Sequence, residues 1–134
     1  MESEKASAVS RPRILVVDDS SLVRLYCRDI LEGAGFEVEQ AINGIEAIEK
    51  VLVQAFDLVI VDVNMPRMDG LSFIRALRAS HGAVAALPAL VITTEAGEQD
   101  RADARAAGAN FYLVKPVSEA ALLLHAAVLT GVRS

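Results

Sequence analysis

Short apolar runs recur along the chain, and they alternate with segments in which apolar residues return every three or four positions. The runs have the length of β-strands, and those that are apolar throughout are typical of strands buried on both faces. They cover residues 14–17, 36–41, 58–63, 89–93 and 111–114. The pattern therefore predicts five strands.

The segments between the runs have the period of amphipathic helices. Five helices are predicted, and they begin near residues 22, 44, 70, 99 and 118. Gly33 and Gly35 end the first helix, and Asp69 is a good N-cap for the third. On the first two helices, the residues assigned to the buried face are Leu22, Val23, Tyr26, Cys27, Ile30, Leu31, Ile45, Ile48, Val51 and Leu52.

The last two predicted helices differ sharply in what they can bury. The fourth, at about residues 99–107, has only alanines to turn inward, so it is expected to be weakly anchored. The fifth, at about residues 118–130, places Leu122, Ala126 and Leu129 on one side and Leu124 and Val128 nearly opposite. Because a helix that is apolar all round is normally buried all round, we expect Leu124 and Val128 to meet a second copy or a target. The alternative is that they are ordinary, scattered exposed apolar residues.

Strands that alternate with helices imply right-handed crossovers and a parallel sheet with helices on both faces, a doubly wound α/β fold. The chain has 134 residues, of which 53% are hydrophobic, and this suits one compact domain. We assign residues 12–131 to that domain, residues 1–11 to a flexible polar N-terminal segment and residues 132–134 to a C-terminal tail.

Charge and composition argue against several classes of function. The formal net charge of -5 and the scattered positions of the 13 Lys and Arg residues argue against nucleic-acid binding. Cys27 is the single cysteine and lies in an apolar stripe, so it is expected to be a buried structural thiol. The longest apolar run, residues 120–128, is too short to span a bilayer, and the N-terminus lacks the apolar core of a secretory signal. The expected compartment is the cytoplasm.

Polar residues gather where the predicted strands end. In an open parallel α/β sheet, ligands bind beyond the carboxyl ends of the strands, so these residues are expected to share one rim. They are Asp18, Asp19, Asp62, Thr93, Thr94 and Lys115.

The three carboxylates on this rim predict a cation site. Like charges in contact disfavour ionisation, and a divalent cation relieves that conflict. Oxygen ligands without a cysteine or histidine partner favour Mg²⁺, which keeps several of its waters. Lys115 adds a positive charge that can pair with a carboxylate or with a phosphoryl oxygen.

Four stretches, VVDDSSLVR, IVDVNMPRMDG, ALVITTEA and AGANFYLVKP, together resemble the receiver domain of bacterial two-component response regulators. The chain is most similar to the single-domain chemotaxis type, and the resemblance covers about residues 12–131. It implies a flavodoxin-like fold with strand order 2-1-3-4-5.

The resemblance also implies a role for each acidic residue. Asp62 resembles the phosphoacceptor, whose carboxylate attacks phosphorus and forms an acyl phosphate. Asp19 would bind Mg²⁺ directly and Asp18 through a water, while the backbone carbonyl of Asn64 would complete the protein's share of the ligands. The metal would then offset charge on the incoming phosphoryl group.

A second set of residues resembles the conformational switch of the family. Thr93 resembles the switch hydroxyl, although Thr94 is a rival, and Tyr112 resembles the switch aromatic. Phosphorylation would draw Thr93 and Lys115 toward the phosphoryl group and change the face made by the fourth helix, the fifth strand and the fifth helix. The family also has a cis bond where this chain has Lys115-Pro116.

The resulting expectation is a signalling module that receives a phosphoryl group from a histidine kinase or phosphotransfer protein and then engages a downstream partner. It would modify and dephosphorylate itself rather than turn over an external substrate. Because no length is left for a DNA-binding effector, we expect either a stand-alone regulator or the receiver of a larger protein. Two alternatives stay open: an aspartate-nucleophile phosphohydrolase, and a degenerate receiver that serves only as a protein-binding module.

Overall fold

The computed structural model describes residues 11–131, in which five strands alternate with five long helices. The strands are β1 (Arg13–Val17), β2 (Glu37–Ala41), β3 (Leu58–Val61), β4 (Ala89–Thr93) and β5 (Phe111–Val114). The long helices are α1 (Ser21–Gly33), α2 (Gly44–Val53), α3 (Gly70–Arg78), α4 (Glu98–Ala107) and α5 (Glu119–Thr130). A single helical turn at Gly82–Ala85, which the sequence pattern did not predict, lies between α3 and β4. The predicted N-terminal segment, apart from Arg11, and the predicted tail lie outside the described residues.

The strands form one parallel sheet in the order β2-β1-β3-β4-β5, which confirms the predicted topology. Every residue of β3 and β4 is buried, as expected for central strands covered on both faces. The core on one face contains residues of α2, α3 and α4, and the core on the other contains residues of α1 and α5. The carboxyl ends of all five strands therefore meet at one edge of a sheet that is covered on both sides.

Side-chain caps fix where four of the helices begin. In each case an oxygen of the N-cap side chain accepts a hydrogen bond from a backbone N–H of the first helical turn, at 2.8 to 3.4 Å. The caps are Ser20 for α1, Asn43 for α2, Asp69 for α3 and Ser118 for α5. The predicted role of Asp69 is thus confirmed.

Part of the predicted buried faces of α1 and α2 was wrong. Leu22 and Leu52 are 79% and 64% exposed, and Tyr26 and Ile45 are also exposed. On α2 the buried residues are instead Gly44, Ala47 and Val51. A Cβ at Gly44 would collide with Met68, so α2 packs closely through small residues and is rotated by about one position from the predicted face. On α1, Cys27 and Leu31 are buried, and burial raises the pKa of the Cys27 thiol to about 11.

The alanine contacts predicted for α4 and the two-sided apolar pattern predicted for α5 are confirmed, whereas the weak anchoring of α4 and the partner of α5 stay predictions. The buried residues of α4 are two alanines, Ala104 and Ala107. On α5, Leu122 and Ala126 are fully buried, whereas Leu124 and Val128 are 61% and 60% exposed. Among the described residues, no helix combines the length and the hydropathy that crossing a membrane requires.

Candidate functional site

Three carboxylates meet at the carboxyl edge of the sheet. Asp18 and Asp19 follow β1, and Asp62 follows β3, which pairs directly with β1 in the register Val17↔Val61. An oxygen of each carboxylate lies within 4.8 Å of an oxygen of the other two. Asp18 and Asp62 are buried, whereas Asp19 is exposed. The predicted acidic cluster is therefore formed.

The ammonium group of Lys115 extends into this cluster from the end of β5. Its Nζ donates to Oδ2 of Asp18 at 3.0 Å and lies 3.7 Å from Oδ1 of Asp62. The peptide bond that follows it, Lys115-Pro116, is cis, as the resemblance implied. One ammonium group faces three carboxylates, so the site keeps an excess of negative charge.

This excess of negative charge contributes to a change in the pKa of Asp62. Its pKa is raised from 3.8 to about 6, first by burial and then by the charge of Asp18, with a smaller contribution from Asp19. Lys115 and a hydrogen bond from the backbone N–H of Asn64 act in the opposite direction. A positive charge placed among these oxygens would stabilise the ionised form of Asp62.

The donor set fits a hard divalent cation. The three side chains offer carboxylate oxygens only, and a few carboxylates with open positions for water match the coordination habits of Mg²⁺. Asp18 is held in place, because its Oδ1 accepts a hydrogen bond from the N–H of Ser20 at 2.8 Å. Asn64 lies on the loop after β3, and its predicted carbonyl ligand stays a prediction.

The two predicted switch residues are linked through Glu95. Thr93 ends β4 and is fully buried, whereas its rival Thr94 is exposed. The hydroxyl oxygen of Thr93 accepts a hydrogen bond from the N–H of Glu95 at 3.2 Å. Tyr112, on β5, donates its hydroxyl to the carbonyl of Glu95 at 2.6 Å, and the guanidinium group of Arg101 lies 4.9 Å from its ring. Glu95 also accepts a hydrogen bond from the side chain of Asn64 at 3.0 Å.

Gly70 allows α3 to begin directly against the strand end that carries Asp62. Its N–H donates to the carbonyl of Val63 at 3.0 Å. A Cβ at this position would collide with the carbonyl oxygen of Asp62 and with the side chain of Val61. The close approach therefore requires glycine and fixes the backbone on which Asp62 sits.

The sequence pattern missed one polar contact of the site. Arg24 is not among the residues assigned to the buried face of the first helix, yet its guanidinium group donates to the backbone carbonyl of Asp18 at 2.7 Å. The position was informative, because residue 24 lies in the first turn of the helix that follows the acidic pair.

Comparison with known proteins agrees with the geometry. The family model of the response regulator receiver domain matches residues 14–127. The chain is 42% identical over 110 residues to the transcriptional regulatory protein PrrA of Mycobacterium leprae, a match that covers 82% of this chain and 46% of that protein. It is 39% identical over 111 residues to the gliding motility regulatory protein of Myxococcus xanthus, covering 83% of this chain and 14% of that protein.

A solved structure extends the agreement to the whole fold. The structure of chemotaxis protein CheY4 of Vibrio cholerae is 36% identical in sequence, with a TM-score of 0.84 over 90% of this chain and 99% of that one. The chain thus spans nearly all of this structure but less than half of the two curated relatives. Domains of this family serve as signalling phosphoacceptors rather than as typical enzymes. With its sheet order, its edge of three aspartates and a lysine, and a family match over most of its length, the chain belongs to the receiver domains of two-component response regulators.

Proposed function

We propose that Asp62 is the residue that accepts the phosphoryl group. The observation that carries this assignment is the placement of Asp62 between two other carboxylates and the ammonium group of Lys115. A carboxylate oxygen of Asp62 forms a bond to phosphorus while the bond from phosphorus to the donor breaks, and the donor leaves with the electron pair. The proposed donor is the phosphohistidine of a histidine kinase or phosphotransfer protein.

The remaining residues of the site prepare Asp62 for this transfer. Asp19 would bind Mg²⁺ directly, Asp18 through a water, and Asn64 through its backbone carbonyl. When bound, the metal would supply positive charge to the phosphoryl oxygens, because phosphoryl transfer depends mainly on positioning and electrostatics. Lys115 already lies 3.7 Å from Asp62, so its ammonium group is placed to donate to a phosphoryl oxygen.

Phosphorylation would then change the surface through Thr93 and Tyr112. If Thr93 turns toward the phosphoryl group, its hydrogen bond with Glu95 is lost, and the carbonyl that holds Tyr112 is free to move. Taking a two-state equilibrium from 1:99 to 99:1 requires about 5.5 kcal/mol. Hydrogen bonds from Thr93 and Lys115 to a charged phosphoryl group are worth about 1.5–3 kcal/mol each, which is of that order. The alanine contacts of α4 offer little resistance to the change.

Incubation with Mg²⁺ and a small acyl-phosphate donor, followed by intact-mass measurement and peptide mapping, tests the function. We expect one acid- and base-labile adduct, on Asp62, which then decays by the domain's own hydrolysis. Sustained phosphate release from many phosphate esters would instead identify a phosphohydrolase. Absence of any adduct would identify a degenerate receiver that acts only as a binding module.

Mg²⁺ is expected to stabilise the wild-type protein against unfolding, and Asp19→Asn is expected to weaken that effect. A ligand at 100 times its dissociation constant adds about 2.7 kcal/mol to the free energy of unfolding. Loss of a direct ligand should raise the Mg²⁺ dissociation constant at least tenfold, since even residues that merely support ligands have effects of about that size. Calorimetric titration with MgCl₂ measures this dissociation constant. Asp69→Asn, which keeps a good cap on α3 and changes none of the proposed metal ligands, should bind like wild type, and equal binding by Asp19→Asn would remove that residue from the metal site.

The proposed partner surface consists of α4, β5 and α5. Leu124 and Val128 are exposed on α5, and Phe111 on β5 is 45% exposed with its ring packed edge-on against His125. Separately exposed apolar residues are common, but three on neighbouring elements form a surface that favours a downstream protein or a second copy.

We place the module in the cytoplasm. The expectation of no nucleic-acid binding stays a prediction, because one relative is a transcriptional regulatory protein.

Leu124→Asp is expected to weaken association through this surface. The aspartate would put a charge where an apolar contact is needed, while the exposure of Leu124 means that the fold should tolerate it. Light-scattering mass of the phosphorylated protein, together with affinity for any captured target, measures the effect. Leu52→Asp is the matched control, since Leu52 is equally exposed but lies on α2. Unchanged mass and unchanged target affinity for Leu124→Asp would show that the residue is simply exposed.

A further inference from the structure

The two aspartates that follow β1 are held very differently. Asp18 donates its N–H to the carbonyl of Ala41, and its carboxylate accepts hydrogen bonds from Ser20 and Lys115. Within residues 11–131, by contrast, no hydrogen bond or ion pair restrains the carboxylate of Asp19. The peptide group that joins Asp18 to Asp19 therefore sets the point and the direction in which the side chain of Asp19 leaves the backbone.

Arg24 holds that peptide group. Its Nη1 donates to the carbonyl oxygen of Asp18 at 2.7 Å, a short bond of the charge-assisted kind. Its Nε donates to Oε1 of Gln40 at 3.0 Å. Since arginine has no acceptor, Gln40 must present its oxygen, and this bond from β2 fixes the plane of the guanidinium group.

The guanidinium group thus joins three elements at the acidic edge: α1, which carries it, the end of β1, which it holds, and β2, which orients it. It contacts no carboxylate of the cluster, so its contribution is to geometry rather than to charge neutralisation. In metal sites, groups that orient a ligand in this way commonly change metal affinity by about 10–100-fold when they are removed.

We propose that Arg24, oriented by Gln40, is a positioning residue that sets the direction of Asp19 and thereby the affinity of the site for Mg²⁺. The proposal rests on the proposed function, in which Asp19 is a direct ligand. The proposal extends that function by making an arginine of α1 part of the metal site, although this arginine touches neither the carboxylates of the metal ligands nor the phosphoacceptor.

Variants that keep the net charge separate geometry from electrostatics. Removing the positive charge of Arg24 would by itself favour a cation nearby and so oppose the effect of lost positioning. Arg24→Lys keeps the charge but cannot donate in one plane to both Asp18 and Gln40. Gln40→Leu leaves Arg24 in place and removes the acceptor that orients it. Arg28→Lys is the matched control, because Arg28 lies one turn later on α1 and pairs with Asp29 and Glu32 on its own helix.

The test measures the Mg²⁺ dissociation constant by calorimetry and, separately, the free energy of unfolding in EDTA. We expect Arg24→Lys to raise the Mg²⁺ dissociation constant about tenfold and Gln40→Leu to raise it as well. Arg28→Lys should keep the wild-type dissociation constant. A purely structural role would lower stability in EDTA but leave the dissociation constant of the folded protein at its wild-type value, and that result overturns the proposal. If Arg24→Lys does not fold, the same two measurements on Gln40→Leu decide between positioning and a purely structural role. Absence of Mg²⁺ binding by the wild-type protein would instead refute the metal site itself.

Discussion

Asp62→Asn is expected to abolish the phosphoryl adduct that forms with Mg²⁺ and a small acyl phosphate. The amide has nearly the shape of the carboxylate, but it is a poor nucleophile, so no bond from this side chain to phosphorus can form. Asp62 is only 7% exposed, and the near-isosteric change fills the same space. Intact-mass measurement before and after incubation with the donor gives the result.

Asp69→Asn is the control for the chemical change itself. Asp69 accepts a hydrogen bond from the N–H of Ser72 at 2.9 Å, and asparagine serves equally well at a helix N-terminus. This variant should therefore form the wild-type adduct on Asp62. An adduct of wild-type yield in Asp62→Asn, mapped to Asp18 or Asp19, would move the acceptor to the end of β1 and contradict the assignment.

The sheet was predictable from the sequence because its central strands are buried on both faces and read as unbroken apolar runs. The predicted and observed bounds of β4 and β5 agree fully. The strand-end rule then placed Asp18, Asp19, Asp62 and Lys115 on one rim, and the structure brings these four together. The strand order came from the resemblance to a family.

Helix faces were less predictable, because apolar periodicity does not say how closely two elements pack. Ile45 and Leu52 fit a buried stripe on α2, but Gly44 and Ala47 permit a closer approach and occupy the inside instead. Hydrogen bonds to backbone atoms were still less predictable. The contact of Arg24 with the carbonyl of Asp18 depends on the direction of one peptide group, which no pattern of side chains records.

The crowding of carboxylates around Asp62 should destabilise the metal-free fold. A carboxylate whose pKa is higher in the folded protein than in the unfolded chain is a group that folding makes harder to ionise. Asp62 has this property because it is buried and because Asp18 lies beside it. Lys115 compensates only in part, so some of the stability is available only when a cation or a proton is bound.

In EDTA at pH 7.5, Asp62→Asn is expected to be more stable than the wild-type protein. Because the folded-state pKa of Asp62 is about 6 against an ordinary value of 3.8, the cost of ionising it in the folded protein is absent below the lower value and complete above the higher one. The penalty amounts to about 3 kcal/mol at neutral pH and falls to roughly half of that at pH 5. Urea unfolding of both proteins at pH 5 and pH 7.5 measures the difference in the free energy of unfolding.

Because the two proteins are compared with each other at each pH, contributions that they share cancel in the difference. Asp69→Asn again serves as the control for replacing an aspartate by an asparagine. Saturating Mg²⁺ should stabilise the wild-type protein more than Asp62→Asn and so reduce the difference at pH 7.5. If the difference in EDTA were the same at both pH values, or if wild type were the more stable protein at pH 7.5, repulsion at Asp62 would not be what limits the stability of this edge of the sheet.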